Sequence, residues 1–436
     1  MVFSMASCDN KNELTTNEQG LVDDGGQKLT PDSQKSKIEE TANALMTDLD
    51  INVWQAEYDM VNGVIDEMGN KEVDASSIEQ YLTGIVDAWT SVTGEDPYTT
   101  TITLIQLSDI KGHFTENADG GFDFEEGDDL QVTIFSQDKT ITATFAAEST
   151  DLEVNILEKA TVDAYGSTVE ATRAYIPSKA VLGLLVDNAP LASLEIRLNP
   201  KDLDNNCEFE ITDQIDLGYT MKVGAYEFSI DQANYGRSTA ALGFSLKREN
   251  HLILGLDAKA AIKLEEYNDG YHADVDVIPV SAEATLDIEG KIQFKGNIPD
   301  YAKFEEIQAR ANQAIAEDNF EAYKAEVALL EKSFGVGVYY DGGNTLQATL
   351  GFEPFHEDIE PYDYNGDGII DGQDNKASYG LAPVIRFADG TSYGMVDFYQ
   401  DEKMENLWNN IGEWVMGIAD ALGLLNHAHE ADPVEE

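Results

Sequence analysis

The chain of 436 residues carries 83 Asp and Glu against 27 Lys and Arg, a formal net charge of −56. So acidic a chain is repelled by phosphate backbones, which argues against a nucleic-acid partner, and no apolar run approaches the ~18 residues that span a bilayer. A hydrophobic share of 42%, with 19 Tyr and 17 Phe, excludes a disordered acidic tail, and 2 Cys cannot build a disulfide framework.

The chain opens on Met5-Ala6-Ser7-Cys8, an apolar residue, two small ones and a cysteine. This resembles a bacterial lipobox, whose cysteine takes a diacylglycerol; the resemblance implies lipidation at Cys8 and a membrane held through acyl chains. Only Val2 and Phe3 precede the box as apolar residues, with no Lys or Arg. A signal peptide needs a basic start and an apolar stretch. The address therefore holds if translation begins further upstream; otherwise Cys8 is a chance cysteine in a polar leader. Residues 1–29 are expected to be this leader and a flexible tether.

Thr30-Pro31 reads as a helix start, a capping side chain followed by proline at the first helical position. Ile38, Ala42, Leu45, Met46 and Leu49 follow at helical spacing. A second helix is expected through Val53, Trp54, Met60, Val61, Val64, Ile65 and Met68, and a third through Ile78, Tyr81, Leu82, Ile85, Val86 and Trp89. Residues 30–96 are thus a helical region whose apolar side chains are expected in the core.

From about Thr99 the period changes to two. Leu130, Val132 and Ile134 alternate, Gln137-Asp138-Lys139 turns, and Ile141, Ala143 and Phe145 alternate back, a hairpin. Leu252 to Leu264 alternates with Asp257, Lys259 and Lys263 on the other face. Ala284, Leu286, Ile288, Gly290, Ile292 and Phe294 do the same opposite Asp287, Glu289, Lys291 and Lys295. Such stretches are expected to be long strands of an antiparallel meander with one wet face. Residues 300–333 interrupt it as two amphipathic helices broken near Asp318-Asn319. Strands resume at Val336 and again at Val384. Met404 to Leu425 has the pattern of one long amphipathic helix packed on the apolar face of the sheet, and His427–Glu436 that of a tail. The fold class is α+β: a long-stranded antiparallel β region over 97–400, N-terminal helices, an inserted helical pair, and a C-terminal helix over 401–426.

Between the strands lies Asp363-Tyr364-Asn365-Gly366-Asp367-Gly368-Ile369-Ile370-Asp371-Gly372-Gln373-Asp374. Oxygen-bearing side chains stand where a short loop needs them to wrap one calcium ion. Asp363, Asn365 and Asp367 point inward, Gly368 bends the chain, and Ile369 offers its carbonyl. Asp371 binds directly or through water, and Asp374 closes the sphere. The loop resembles the EF-hand family, and more narrowly the dockerin-type calcium loop. Asp374 replaces the longer closing glutamate of an EF-hand, and Pro354 and Pro361 leave no room for an entering helix. A lone structural calcium clip is expected, the alternative being an acidic turn without an ion.

Other constellations carry less. His356-Glu357 begins a zincin motif but lacks its second histidine, and Cys207 reads as an inert thiol. His427 and His429 stand on the tail. The lipobox-like start, polar leader, early helices and long hairpins, such as Leu182–Leu194, resemble uncharacterised secreted lipoproteins of Bacteroidota. That resemblance implies a cell-envelope location, at the outer membrane facing outward or in the periplasm. The expected function is a calcium-binding, non-enzymatic envelope lipoprotein with a structural or binding role. Its partner is left open between a glycan, a protein and an apolar ligand. The alternatives are a carrier of an apolar ligand on a sheet/helix cradle, or a surface carbohydrate-active enzyme.

Overall fold

The computed structural model describes residues 15–16, 21–93, 98–136, 138–163, 166–201, 214–268, 273–357 and 378–394. Cys8, the calcium-type loop 363–374, Cys207, the expected helix over 401–426 and the tail lie outside the described residues.

Two short strands, β1 (Thr15–Thr16) and β2 (Val22–Asp23), precede helices α1 (Pro31–Asp48), α2 (Ile51–Asn70) and α3 (Ser76–Trp89). Strands β3 (Thr90–Thr93), β4 (Tyr98–Ile105), β5 (Gly112–Glu116), β6 (Phe122–Glu125) and β7 (Leu130–Ser136) follow. Next come β8 (Lys139–Asp163), β9 (Gly166–Val186), β10 (Ala189–Lys201), β11 (Gln214–Val223), β12 (Tyr226–Tyr235) and β13 (Thr239–Arg248). Then β14 (His251–Asn268), β15 (Ala273–Ile288) and β16 (Ile292–Ile298) lead to α4 (Tyr301–Ala316) and α5 (Phe320–Ser333). The described chain closes with β17 (Gly335–Tyr340), β18 (Ala348–Glu357), β19 (Ser378–Phe387) and β20 (Ser392–Gly394). The fold is sheet-rich, with helices at the start and one inserted pair.

The chain divides into two compact units. The first takes the described residues up to Leu49, Ile253–Lys263, and those from Val277 on; the second takes Asp50–Leu252 and Leu264–Asp276.

In the second unit, β7 and β8 form the expected hairpin, with Leu130 opposite Phe145 and Ser136 opposite Lys139. Strands β8 to β13 continue as antiparallel neighbours. The turn between β9 and β10 holds Asp187 and Asn188 at φ 52° and 65°, the left-handed pair that a tight hairpin demands. The sheet is nevertheless mixed, which corrects the purely antiparallel expectation. Strand β4 runs parallel to β9, from Tyr98 opposite Ser167 to Ile105 opposite Ala174, and β5 runs parallel to β7. Strand β6 doubles back on β5, so the next reversal brings β7 up alongside β5 in the same direction. Period-two alternation reports which face a side chain takes and is blind to the direction of the neighbouring strand.

The helices of this unit are less buried than their apolar content suggested. Val64 packs with Phe114, Phe122, Ile134 and Ile141, supported by Met68, Ile78 and Tyr81. Trp54 meets Tyr226 edge-on at 5.4 Å. Met60 and Ile65, by contrast, stay 54% and 53% exposed, and Leu82 and Val86 are exposed as well. Each helix lays one stripe on the strands, and the apolar residues flanking that stripe find no second layer among the described residues.

Lys71, just after α2, reaches Glu116 on β5 at 2.6 Å, and the same carboxylate accepts the Phe135 N–H at 2.7 Å. Burial works to raise the Glu116 carboxyl, but the hydrogen bonds from Lys71 and Phe135 and the Lys71 charge outweigh it and hold the group below its usual value. A carboxyl depressed in the folded state contributes stability above its unfolded value, near 4.5, and loses it as pH falls through the folded one. The wild type should therefore lose more urea resistance between neutral pH and pH ~3 than Glu116→Gln does. Equal losses would show that this carboxylate contributes nothing to the acid response.

In the first unit the helical pair folds where expected. Asp318 turns at φ 51°, and Asn319 caps α5 by accepting the Ala322 N–H at 3.1 Å. The insertion closes on itself, because Asn297 at the end of β16 pairs with Gly335 at the start of β17. Ala311, Ala314, Tyr323 and Val327 are buried and pack on Phe352, Tyr379 and Leu381. Glu331 accepts the Phe352 N–H at 2.6 Å and Arg386 at 3.1 Å, which ties α5 to β18 and β19.

One expected strand is in fact a hairpin. Residues 284–294 reverse at Glu289 and Gly290, with φ 59° and 67°, so Leu286 lies opposite Phe294 and Ile288 opposite Ile292. Asp287 Oδ1 accepts the Gly290 N–H at 2.9 Å and braces the turn.

Candidate functional site

The strip formed by β15, β16, β17 and β18 has two unlike faces. Register places Ile288 against Ile292, Phe294 against Val338, Ile292 against Tyr340, and Val338 against Ala348. These even-numbered side chains make an apolar floor. The odd-numbered Thr285, Gln293, Lys295, Asn297 and Tyr339 make a polar one on the other side.

Helix α1 covers the apolar floor. Thr30 caps it by accepting the Ser33 N–H, and Pro31 opens its first turn, as the sequence indicated. The face it turns to the sheet is Gln34, Ile38, Thr41, Ala42 and Leu45, one stripe at helical spacing. Ala42 is small and Thr41 short, so the middle of the stripe does not reach the sheet. The result is a cavity of about 300 Å³ floored by Ile292, Phe294, Val338, Tyr340 and Phe387.

Gln34 and Tyr340 at its edge are satisfied internally. Gln34 is 1% exposed. Its Nε2 donates to the Leu29 and Gln347 carbonyls at 3.2 and 3.1 Å, and its Oε1 accepts from Tyr340 Oη at 3.3 Å. Burial pushes the Tyr340 hydroxyl well above its usual value, so the phenol stays neutral. The Gln347 side chain accepts the Leu29 N–H at 2.7 Å and donates to the Gln27 carbonyl at 3.2 Å. On the outer side, Lys37 pairs with Asp341 at 2.6 Å and Lys35 sits 3.7 Å over the Tyr393 ring. The lid is thus clamped at its N-terminal end, and no charged side chain lines the cavity.

The polar face is partly covered, so the wet face expected from the sequence is wet only in part. Leu21, Val22 and the turn through Gly342 and Asn344 close over it, leaving a pocket of about 520 Å³. Tyr339 Oη donates to the Val22 carbonyl at 2.8 Å, and the Asp24 N–H donates to the Asn344 carbonyl at 3.1 Å. Leu21 is 2% exposed. A flexible tether was expected over 1–29, but from Leu21 to Leu29 the chain is fastened to this unit by apolar anchors and by the Asp23 and Asp24 carboxylates.

His356 lies in strand β18, stacked near Phe320 and Tyr379, with Asp318 3.8 Å away. It is a packed residue and no part of a zincin helix. The six residues expected to hold calcium, Asp363, Asn365, Asp367, Ile369, Asp371 and Asp374, lie outside the described residues, as does Cys8. The strands that lead to that loop are described, and they pair down to Glu357 opposite Ser378.

Two site residues escaped the sequence reading. Gln34 and Thr41 fall four positions before and three after Ile38, on its own helical face, and that spacing is the signal that could have found them. No helix among the described residues is long and apolar enough to cross a membrane. No protein-family model, curated protein or solved structure matches the chain.

Proposed function

We propose that this chain is a non-enzymatic binding protein of the cell envelope that carries a small apolar molecule between α1 and its sheet. The cavity under Ala42 carries this reading. Left empty, about 300 Å³ of apolar space leaves its lining without the contacts that a packed interior makes. An occupant supplies those contacts. Ligand cavities begin at about 300 Å³, are mostly apolar and carry a few fixed polar groups, as this one does with Gln34, Thr41 and Tyr340. A lining without charged side chains favours an uncharged ligand over an acid.

The test is a fluorescence titration of the full chain with a neutral apolar probe, N-phenyl-1-naphthylamine. Saturable one-to-one enhancement is expected; a signal that never saturates would sink the reading. A second reading rests on the apolar stripe from Met404 to Leu425, which on this view packs against the sheet as a helix. If a chain lacking 401–436 binds the probe and the full chain does not, the occupant is this segment.

Calcium and the membrane belong to the same proposal. A calcium ion on Asp363, Asn365, Asp367, Ile369, Asp371 and Asp374 would clip the connection between β18 and β19. A lipid on Cys8 would hold the protein at the envelope, outward-facing or periplasmic. The spacing of the loop and the lipobox-like start support these two points.

A further inference from the structure

The pocket on the opposite, polar face has a charge pattern that the apolar cavity does not use. Lys295 is half-buried there. Its Nζ donates to Asn344 Oδ1 at 3.1 Å and to the Gly343 carbonyl at 3.5 Å, and lies 4.5 Å from the Tyr339 ring centroid. Among the described residues no carboxylate pairs with it. The nearest candidate, Asp287, is engaged elsewhere, by the Gly290 N–H at 2.9 Å and Gln293 Nε2 at 2.7 Å. Burial lowers the pKa of the Lys295 ammonium and the Asp287 charge only partly restores it. In a chain with 83 acidic residues, a half-buried cation without a counter-ion is conspicuous.

The same pocket holds an anion in the mirror situation. Glu283 lines it and has no hydrogen-bond or ion-pair partner among the described residues. Glu283 lies opposite Asn297, and Thr285 opposite Lys295. The four therefore form a two-by-two patch, in which Glu283 and Lys295 are diagonal neighbours at roughly 7–8 Å. Lys295 turns to Asn344, Gly343 and the Tyr339 ring rather than to Glu283, so the two charges stand apart on one patch where a bridging molecule can meet both. The side chains of Thr285 and Asn297 make no hydrogen bond among the described residues and are open to one. The other charges of the lining, Lys259 and Asp257, pair with each other at 3.4 Å.

We propose that this pocket binds a small zwitterion, a free α-amino acid, with its carboxylate on Lys295 and Thr285 and its ammonium on Glu283. An anion alone leaves Glu283 beside it uncompensated, and a dianion is repelled by Glu283. A cation alone leaves Lys295 unmatched. The zwitterion satisfies both charges through charge-assisted hydrogen bonds, and about 520 Å³ accommodates it with its side chain.

The test begins with the common L-amino acids screened by thermal shift on the full chain. The best is then compared by calorimetry with its two halves, the same molecule without the amino group and without the carboxylate. At least one amino acid should bind with Kd below about 1 mM, and both halves should bind about tenfold more weakly or worse. Lys295→Met and Glu283→Gln should each weaken the whole amino acid about tenfold. Glu283 is exposed, so its substitution leaves the fold intact, and Glu283→Gln should not weaken the half without the amino group. Three results overturn the proposal: no amino acid binds, a half binds as well as the whole, or Glu283→Gln changes nothing.

Discussion

Gln34→Ala should be among the most destabilising single substitutions in the first unit, by about 3–5 kcal/mol. Gln34 is fully buried and makes three hydrogen bonds, to two carbonyls and with one phenol. Truncation leaves the Leu29 and Gln347 carbonyls and the Tyr340 hydroxyl without that partner, at about 1–3 kcal/mol for each group that stays unsatisfied, and enlarges an existing cavity. Gln347→Ala should cost about 2 kcal/mol, since it frees the Leu29 N–H and the Gln27 carbonyl. The two should not add, because both side chains fasten the same turn before α1. Urea unfolding of the single and double variants measures this. A Gln34→Ala change within ~0.5 kcal/mol of wild type would show that α1 is not locked by its first turn.

If the loop binds calcium as proposed, removing the ion should have the next largest effect. With calcium at about a hundredfold over its Kd, linkage predicts roughly 2.7 kcal/mol of added stability, lost on chelation. The paired ends of β18 and β19, at Glu357 and Ser378, fix the two ends of the loop, so the ion would act on the segment between them. Calorimetry should show one exothermic or endothermic binding event in the wild type and none in Asp363→Ala plus Asp367→Ala, whose melting should also ignore calcium. An absence of heat with the wild type would reduce the loop to an acidic turn.

Local signals were legible in the sequence where one side chain does one job. Thr30-Pro31 announced α1, and Asn319 announced α5. The β7–β8 hairpin was readable because Ser136 pairs with Lys139, so the apolar set switches from even to odd positions at the turn. The β15–β16 hairpin was not. There Ile288 pairs with Ile292, three residues intervene, and even positions stay on one face through the reversal. Alternation passes through such a turn unbroken, and only Gly290 marks it. The parallel β4–β9 pairing was also illegible, since it depends on which edge the chain reaches rather than on what it carries.

The candidate sites were half legible for a related reason. The apolar floor of the cavity was written in Ile288, Ile292 and Phe294. The lid was obscured because Gln34 is polar by composition and internal by hydrogen bonding, and Thr41 is polar yet only 2% exposed. The polar pocket resembled a solvated face because its cover, Leu21 and Asn344, is remote in sequence from Lys295.

Ala42→Leu tests the central claim most directly. Three added carbons placed into the middle of the cavity should stabilise the first unit by about 1–2 kcal/mol, at ~0.8 kcal/mol per buried carbon less some strain, and should weaken the neutral probe at least about tenfold. Stability and affinity then move in opposite directions, as they must if one volume serves both. Unchanged probe affinity in a stabilised Ala42→Leu chain would contradict the account, and so would a destabilised chain, which would mean the space under Ala42 is already filled.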